Sequence, residues 1–395
     1  MKVLHVVTLH TPDHAFGGPT RVALNLSRGL RARGVEAALV TLGDGFEGPL
    51  PTTVEGVPAR LFQARHVLAR FEVSGITSGA MLARARKLVM SADVVHVHLM
   101  RDLITLPMAL IALSCGRPLV IQTHGMVDPT EKKVAKIVDA LGIRRVLRKA
   151  DAVLCLTDKE RADVEAVVAP GRLRRSVRLV NGVAPQERGP STRESRAERP
   201  ATVLYLARVQ AGKRPEDFVA AIPGVLAQRP DTRFLLAGPD TGGLAATLEL
   251  ARELGVSDSL EYLGALDRDE VYEQLRRADV YVLPSIQEAL GVSALEAMSV
   301  GTPVVVTRTC GLAPDVAGAG AGRVVDSRPD SENDNGPRIA RAVLELLDPA
   351  EHEKASDAAW QLIRDSFTID AVVEKLAGVY EEVAGRVTTT AVRGS

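Results

Sequence analysis

Glu288-Ala-Leu-Gly-Val-Ser-Ala-Leu-Glu296, continued by Ala297-Met298 and closed by Gly301-Thr302-Pro303, reads as a loop, a short helix and the start of a strand. Leu290, Ala294, Leu295, Ala297 and Met298 supply the buried face of the helix, and Gly301 is placed to end it as a C′ glycine. Pro303-Val-Val-Val306 then reads as a short buried strand. Glu288 falls in the loop ahead of the helix and Glu296 about two turns along it. Both carboxylates can therefore approach one extended ligand from the same side. Between them, the backbone of Ala289, Leu290, Gly291 and Val292 leaves N–H groups without helical partners, which is a seat for a phosphate.

The same alternation of short Val/Leu-rich runs and helical patterns extends along the whole chain and marks an α/β protein with parallel sheets. In the first half the runs predict strands at 3–8, 36–41, 94–98, 119–123 and 152–156, with a helix at 19–33. In the second half strands are expected at 202–206, 233–237, 260–263, 280–283 and 303–306, with helices at 215–228 and 269–277. Between the halves, residues 186–200 are rich in charge, Gly, Pro and Ser without apolar periodicity, and read as a linker. Two domains follow, 1–185 and 201–368, and 395 residues suffice for each to bury its own core.

Composition narrows the function classes. Lys+Arg and Asp+Glu both total 49, so no global field points to nucleic acid, and 3% aromatics leaves little for base stacking. Cys115, Cys155 and Cys310 are odd in number and far apart, which suits reduced cysteines of a cytosolic protein. Met1-Lys-Val-Leu-His-Val-Val runs straight into a strand with no charged leader, and the longest apolar run, 103–115, is too short to span a bilayer. The expectation is a cytoplasmic protein, soluble or peripheral at the inner face of the membrane.

Two further segments carry chemistry. Tyr205-Leu-Ala-Arg208-Val-Gln-Ala-Gly-Lys213 brings two cations to the C-terminal end of a strand, the ligand edge of an open α/β sheet, where they suit a diphosphate. Phe16-Gly17-Gly18-Pro19-Thr20 lets backbone approach an anion at a helix start, yet it is not the GxGxxG of a nicotinamide site. The carboxylate pair with its flanks, Pro284-Ser285, Leu290-Gly291 and Glu296-Ala-Met, resembles the E-x7-E motif of family four of the retaining glycosyltransferases. The resemblance covers almost the whole chain. It implies the GT-B fold, two Rossmann-like domains facing across a cleft, with a last helix at about 369–384 crossing back to the first domain; the tail from Gly385 is expected to be loose.

By the same resemblance, Arg208 and Lys213 hold the donor diphosphate, with Arg214 the lesser partner, and the Gly17-Gly18 loop closes over donor phosphates and sugar. Glu296 binds the ribose hydroxyls, and Glu288 holds the sugar hydroxyls and steadies the cationic transition state. Gln122-Thr-His124-Gly-Met resembles the family's His-Gly signature, which puts His124 on the transferred sugar. The nucleobase rests on backbone near Gly264-Ala-Leu266, and Asp315 stands where members often carry glutamate. The implied reaction is retaining transfer of a sugar from a UDP- or GDP-linked donor, a co-substrate, to a hydroxyl-bearing glycan, lipid-linked or natural-product acceptor. No cofactor and no metal site are expected. A sugar-nucleotide epimerase, a GT-B pseudo-transferase and a non-catalytic nucleotide-sugar binding protein are the alternatives.

His96 and His98 are read as facing opposite sides of their strand, structural or cleft-lining, with no Cys, Asp or Glu partner at metal spacing. Residues 131–149 form a basic amphipathic stretch of net charge +5, from seven basic and two acidic residues. It is open to two uses, contact with a membrane or acidic acceptor and an ordinary solvated face, with Gly142 leaving the apolar side to the core. The acceptor loops, 44–51, 62–78 and 128–136, carry no decodable chemistry.

Overall fold

Runs of Val, Leu and Ile that are apolar at every position, not every second one, need cover on both faces, and parallel sheets flanked by helices provide it. The computed structural model, which describes residues 1–12, 18–188, 199–286, 288–326 and 335–392, consists of two such sheets. The chain divides into two units, Met1–Asn181 with Ile369–Ser395, and Gly182–Thr368.

The first unit contains β1 (Lys2–His10), β2 (Glu36–Gly43), β3 (Thr53–Val54), β4 (Val57–Gln63), a small hairpin of β5 (Arg65–His66) and β6 (Ile76–Thr77), β7 (Val94–His98), β8 (Leu119–Gln122), β9 (Ala152–Cys155) and β10 (Ser176–Arg178). Its main sheet runs β10-β9-β8-β7-β1-β2-β4-β3, parallel but for the β3–β4 pair. One face is covered by the helix Ile369–Val392, whose Val372, Val373, Leu376, Val379, Tyr380 and Val383 recur at helical spacing and pack on Val3, Leu30, Val94 and Val120. Gly29 permits this approach, since a Cβ there would lie 2.5 Å from Val373. The helical backbone continues past Gly385 to Val392.

The second unit is a six-stranded parallel sheet of β11 (Thr202–Leu206), β12 (Arg233–Ala237), β13 (Leu260–Gly264), β14 (Val280–Leu283), β15 (Val304–Thr307) and β16 (Gly322–Val325), in the order β13-β12-β11-β14-β15-β16. Counted from its own first strand this is 3-2-1-4-5-6, the Rossmann order, whose reversal between β11 and β14 opens a crevice at the strand C-termini. The start of the expected linker is not free chain: Gln186 bonds Arg276, and Arg188 reaches Ser356 at 3.0 Å and the Asp357 carboxylate. Residues 189–198 lie outside the described residues. Arg199 then pairs with buried Asp279 at 2.9 and 3.1 Å.

Candidate active site

The reversal in the second sheet decides where its functional residues meet. The segment leaving β11 carries Arg208 and Lys213, and the segment leaving β14 carries Glu288 and Gly291, so all four emerge at the switch point. The Tyr205 hydroxyl donates to the Arg208 carbonyl at 3.2 Å and fixes the first loop, leaving the Arg208 side chain exposed and without an ion pair among the described residues. A single turn, Ala211–Lys213, then directs the Lys213 ammonium onto the Glu288 carboxylate. Both side chains are largely buried, 19% and 17% exposed. The Ile286 N–H donates to the Gly212 carbonyl at 3.3 Å and ties the two loops together. Arg214 turns away: it sits at φ +53° and grips buried Asp217 with two 2.9 Å bonds, and Asn335 holds Asp217 as well.

Beyond Glu288 the chain makes a left-handed turn at Gly291, φ +90°, where a Cβ would come within 3.0 Å of Cys310 Sγ. The helix Val292–Ser299 starts there, with no side-chain cap on its first N–H groups. Ala289, Leu290 and Val292 flank this turn, Leu290 buried and Val292 exposed; the Cys310 thiol donates to the Leu290 carbonyl at 3.4 Å, and burial raises that thiol to about 12. Glu296 lies half-buried on the same helix. Tyr281 joins the parts: its hydroxyl donates to the Leu206 carbonyl at 3.0 Å and meets Ser293 Oγ at 2.7 Å. Burial is the first cause that holds the Tyr281 phenol well above its usual value, opposed by the Ser293 bond and reinforced by Tyr205, Glu288 and Glu296. Tyr281 was not singled out in the sequence, where it is one more apolar letter in a buried strand. Leu266 is half-buried in the loop after β13, two residues past Gly264 at φ +74°. Asp315 is half-buried in the first turn of the helix Ala313–Ala319.

In the first unit Gly18 is the first residue of the helix Gly18–Ala32, anchored by the Thr20 hydroxyl donating to the Leu9 carbonyl at 2.7 Å. Gly17 lies outside the described residues. His124 follows β8 at φ +52°. Buried Glu160 imposes that turn, accepting from the Thr123 hydroxyl at 2.5 Å, the Gly125 N–H at 2.6 Å and the Leu156 N–H at 2.6 Å. His96 and His98 do not face opposite sides. Residues two apart on a strand share a face, and their rings stack with centroids 4.5 Å apart. His5, paired in register with His96, completes a buried group of three histidines whose ligand-capable atoms lie within 4.8 Å of one another. Asp102, also unremarked in the sequence, is buried after β7 and accepts from the Thr8 hydroxyl, from Ile104 and Thr105 N–H, and from the Thr105 hydroxyl. Burial pushes its carboxyl up against the pull of those bonds.

The 131–149 stretch also departs from expectation. It winds as the helix Lys133–Val138, a π turn Asp139–Ile143 and the helix Arg144–Lys149. The wider turn shifts the helical phase, so Ile143, Val146 and Leu147 enter the core while Val134, Ile137 and Leu141 stay 52, 58 and 77% exposed. Gly142 does not hand the apolar face to the core. Arg101 pins the turn, binding Asp139 at 2.8 and 3.1 Å. Among the described residues no helix is long and apolar enough to cross a membrane.

The description "Glycosyl transferases group 1" matches residues 191–358, and "Glycosyl transferase 4-like domain" matches residues 17–177. A D-inositol 3-phosphate glycosyltransferase 2 from Catenulispora acidiphila is 30% identical over 381 residues, 87% of this chain and 85% of that protein. A glycogen synthase from Mycobacterium tuberculosis is 28% identical over 297 residues, 73% and 68% of the two chains. Among solved structures, HepE from Anabaena in complex with UDP is 16% identical with a TM-score of 0.74, covering 97% of this chain and all of that one. WaaG, a glycosyltransferase involved in lipopolysaccharide biosynthesis, is 20% identical with a TM-score of 0.62, covering 96% and 99%. These likenesses span both sheets and the segments that carry Arg208, Lys213, Glu288 and Glu296, and the chain belongs to glycosyltransferase family four, with the GT-B fold.

Proposed function

We propose that this enzyme transfers a sugar from a UDP- or GDP-linked donor to an acceptor hydroxyl with retention of anomeric configuration and without a metal ion. The observation that carries the reading is the meeting of Arg208, Lys213, Glu288 and the Gly291 helix start at one switch point. Arg208 and Lys213 neutralise the leaving diphosphate, and the helix N-terminus adds backbone donors, so fixed positive charge meets charge as it develops. Glu296 takes the ribose hydroxyls, while Leu266 and its neighbours offer backbone to the base. The Lys213–Glu288 pair keeps both charges balanced before the donor arrives; the diphosphate then draws the ammonium, and the carboxylate turns to the sugar hydroxyls and the cationic transition state. His124 and the Gly17-Gly18 loop contact the sugar and phosphates. The bond from the anomeric carbon to the phosphate oxygen breaks, the acceptor oxygen bonds to that carbon on the same face, and the acceptor's proton passes to the departing phosphate.

The test is to incubate enzyme, UDP- or GDP-sugar and acceptor with a chelator, and follow the products by NMR. D-inositol 3-phosphate is the first acceptor to try, because curated relatives bear that name. Nucleotide release with an unchanged anomeric configuration is expected. Inversion, a strict need for added metal, or an epimerised sugar nucleotide without acceptor consumption would overturn the reading.

A second reading rests on the exposed Val134, Ile137 and Leu141 beside Lys132, Lys133 and Lys136, which suit an anionic membrane surface. Wild type should sediment with phosphatidylserine vesicles and not with phosphatidylcholine vesicles, and Leu141→Glu should abolish this. Equal sedimentation of wild type and variant retires the idea.

A further inference from the structure

The first unit holds a line of polar side chains in its core of which the proposed transfer chemistry uses only the last, His124. His96 Nδ1 lies 2.6 Å from the Tyr380 hydroxyl, which lies 3.4 Å from His5 Nε2. His5 Nδ1 lies 3.1 Å from His98 Nε2, and His98 Nδ1 lies 2.7 Å from His124 Nε2. Five groups from β1, β7, the loop after β8 and the helix Ile369–Val392 thus form one continuous hydrogen-bonded chain that ends on His124. His5, His96 and His98 are fully enclosed, and burial lowers all four imidazoles, His5 and His124 to about 3, so every ring is neutral.

A neutral imidazole has one donor and one acceptor nitrogen, so a chain of them has a direction. His96 Nε2 is buried and has no hydrogen-bond partner among the described residues, and this sets the direction. A bare acceptor is tolerated in a core more readily than a bare N–H, which places the His96 proton on Nδ1, donating to Tyr380. The Tyr380 O–H is then left to donate to His5 Nε2. His5 in turn donates from Nδ1 to His98 Nε2, and His98 donates from Nδ1 to His124 Nε2.

We propose that Tyr380, His5 and His98 are positioning residues that lock His124 as its Nδ1–H tautomer, so that His124 presents a hydrogen-bond donor, and not a base, to the substrate. The C-terminal helix, through Tyr380, thereby sets the protonation pattern of a residue far from it in sequence. The consequence for turnover rests on the contact between His124 and the donor sugar proposed above; the tautomer itself does not.

The test is nitrogen-15 NMR of histidine-labelled full-length protein, with His124 assigned through His124→Asn. Wild type should show His124 protonated at Nδ1. Tyr380→Phe removes the link that passes the orientation from His96 to His5, and His98→Leu cuts the chain further on; both should move the His124 nitrogen shifts toward a tautomer mixture and lower kcat several-fold, with nucleotide affinity unchanged. His98→Gln, whose amide can accept from His5 and donate to His124, should restore both. An Nε2–H tautomer in wild type, or unaltered His124 shifts in Tyr380→Phe and folded His98→Leu, overturns the proposal. So does a stoichiometric metal in purified protein, since His5, His96 and His98 would then be ligands. Altered shifts with unaltered kcat uphold the relay and overturn the sugar contact instead.

Discussion

Lys213 and Glu288 meet in a site whose ligand would separate them, and this predicts opposite behaviour for the two glutamates of the motif. Glu288→Gln removes the charge that holds Lys213 and frees the ammonium for the diphosphate. Turnover should fall by about two to three orders of magnitude, as for loss of one well-placed group acting on transition-state charge, while UDP or GDP affinity stays the same or rises. Glu296→Ala should weaken nucleotide binding by roughly ten- to a hundredfold, the usual worth of hydrogen bonds to a charged group. Steady-state kinetics beside calorimetric titration separates the two. Weaker nucleotide binding in Glu288→Gln, or unchanged binding in Glu296→Ala, would show that the roles are assigned to the wrong residues. The placement of Lys213 and Glu288 was legible in sequence because each follows the end of a buried strand by a few residues, where spacing implies position. Tyr281 was not, because its part depends on which strand lies beside β11.

At the scale of elements, the buried strands announced themselves by apolar runs, and the two Rossmann-like halves followed. The elements missed in sequence were those with mixed patterns: β4 carries Pro58 and Arg60 between apolar residues, and β16 is only Gly322-Arg-Val-Val. The histidine chain was hidden for a different reason. His5 and His96 are neighbours only through the β1–β7 register, and Tyr380 joins them from a helix 284 residues beyond His96. Sequence spacing contains neither relation. The consequence for stability has a definite sign. His5 titrates near 6.5 when unfolded and at about 3 when folded, so between those values the unfolded chain binds the extra proton. Its contribution is fully present above pH 6.5 and is lost as pH falls toward 3, at up to about 1.4 kcal/mol per pH unit. His96 and His98, lowered in the same direction by burial and by neighbouring histidines, add to the effect.

On the whole molecule these two properties fall on different units. His5, His96, His98 and Tyr380 belong to Met1–Asn181 with Ile369–Ser395, whereas Arg208, Lys213, Glu288 and Glu296 belong to Gly182–Thr368. Each unit has its own apolar core, one built around Val6, Val95, Val97 and Ile121, the other around Val203, Phe218, Ile222 and Val282. Acid should therefore act through the first unit and the donor nucleotide through the second. Scanning calorimetry from pH 7.5 down to 5, with and without UDP or GDP, reads both effects. Lowering the pH should bring down the melting of the first unit. Nucleotide at about a hundred times its Kd should raise that of the second by an amount equivalent to about 2.7 kcal/mol. The nucleotide shift should shrink in Glu296→Ala to the equivalent of about 0.4–1.4 kcal/mol at the same concentration while the acid shift remains, and His5→Gln should lessen the acid dependence, His96 and His98 keeping the rest, while leaving the nucleotide shift intact. If Glu296→Ala flattened the acid dependence, the acid effect would not reside in the first unit, and if His5→Gln removed the nucleotide shift, the nucleotide effect would not reside in the second. No stabilisation by either nucleotide at millimolar concentration would remove the donor site from the second unit altogether.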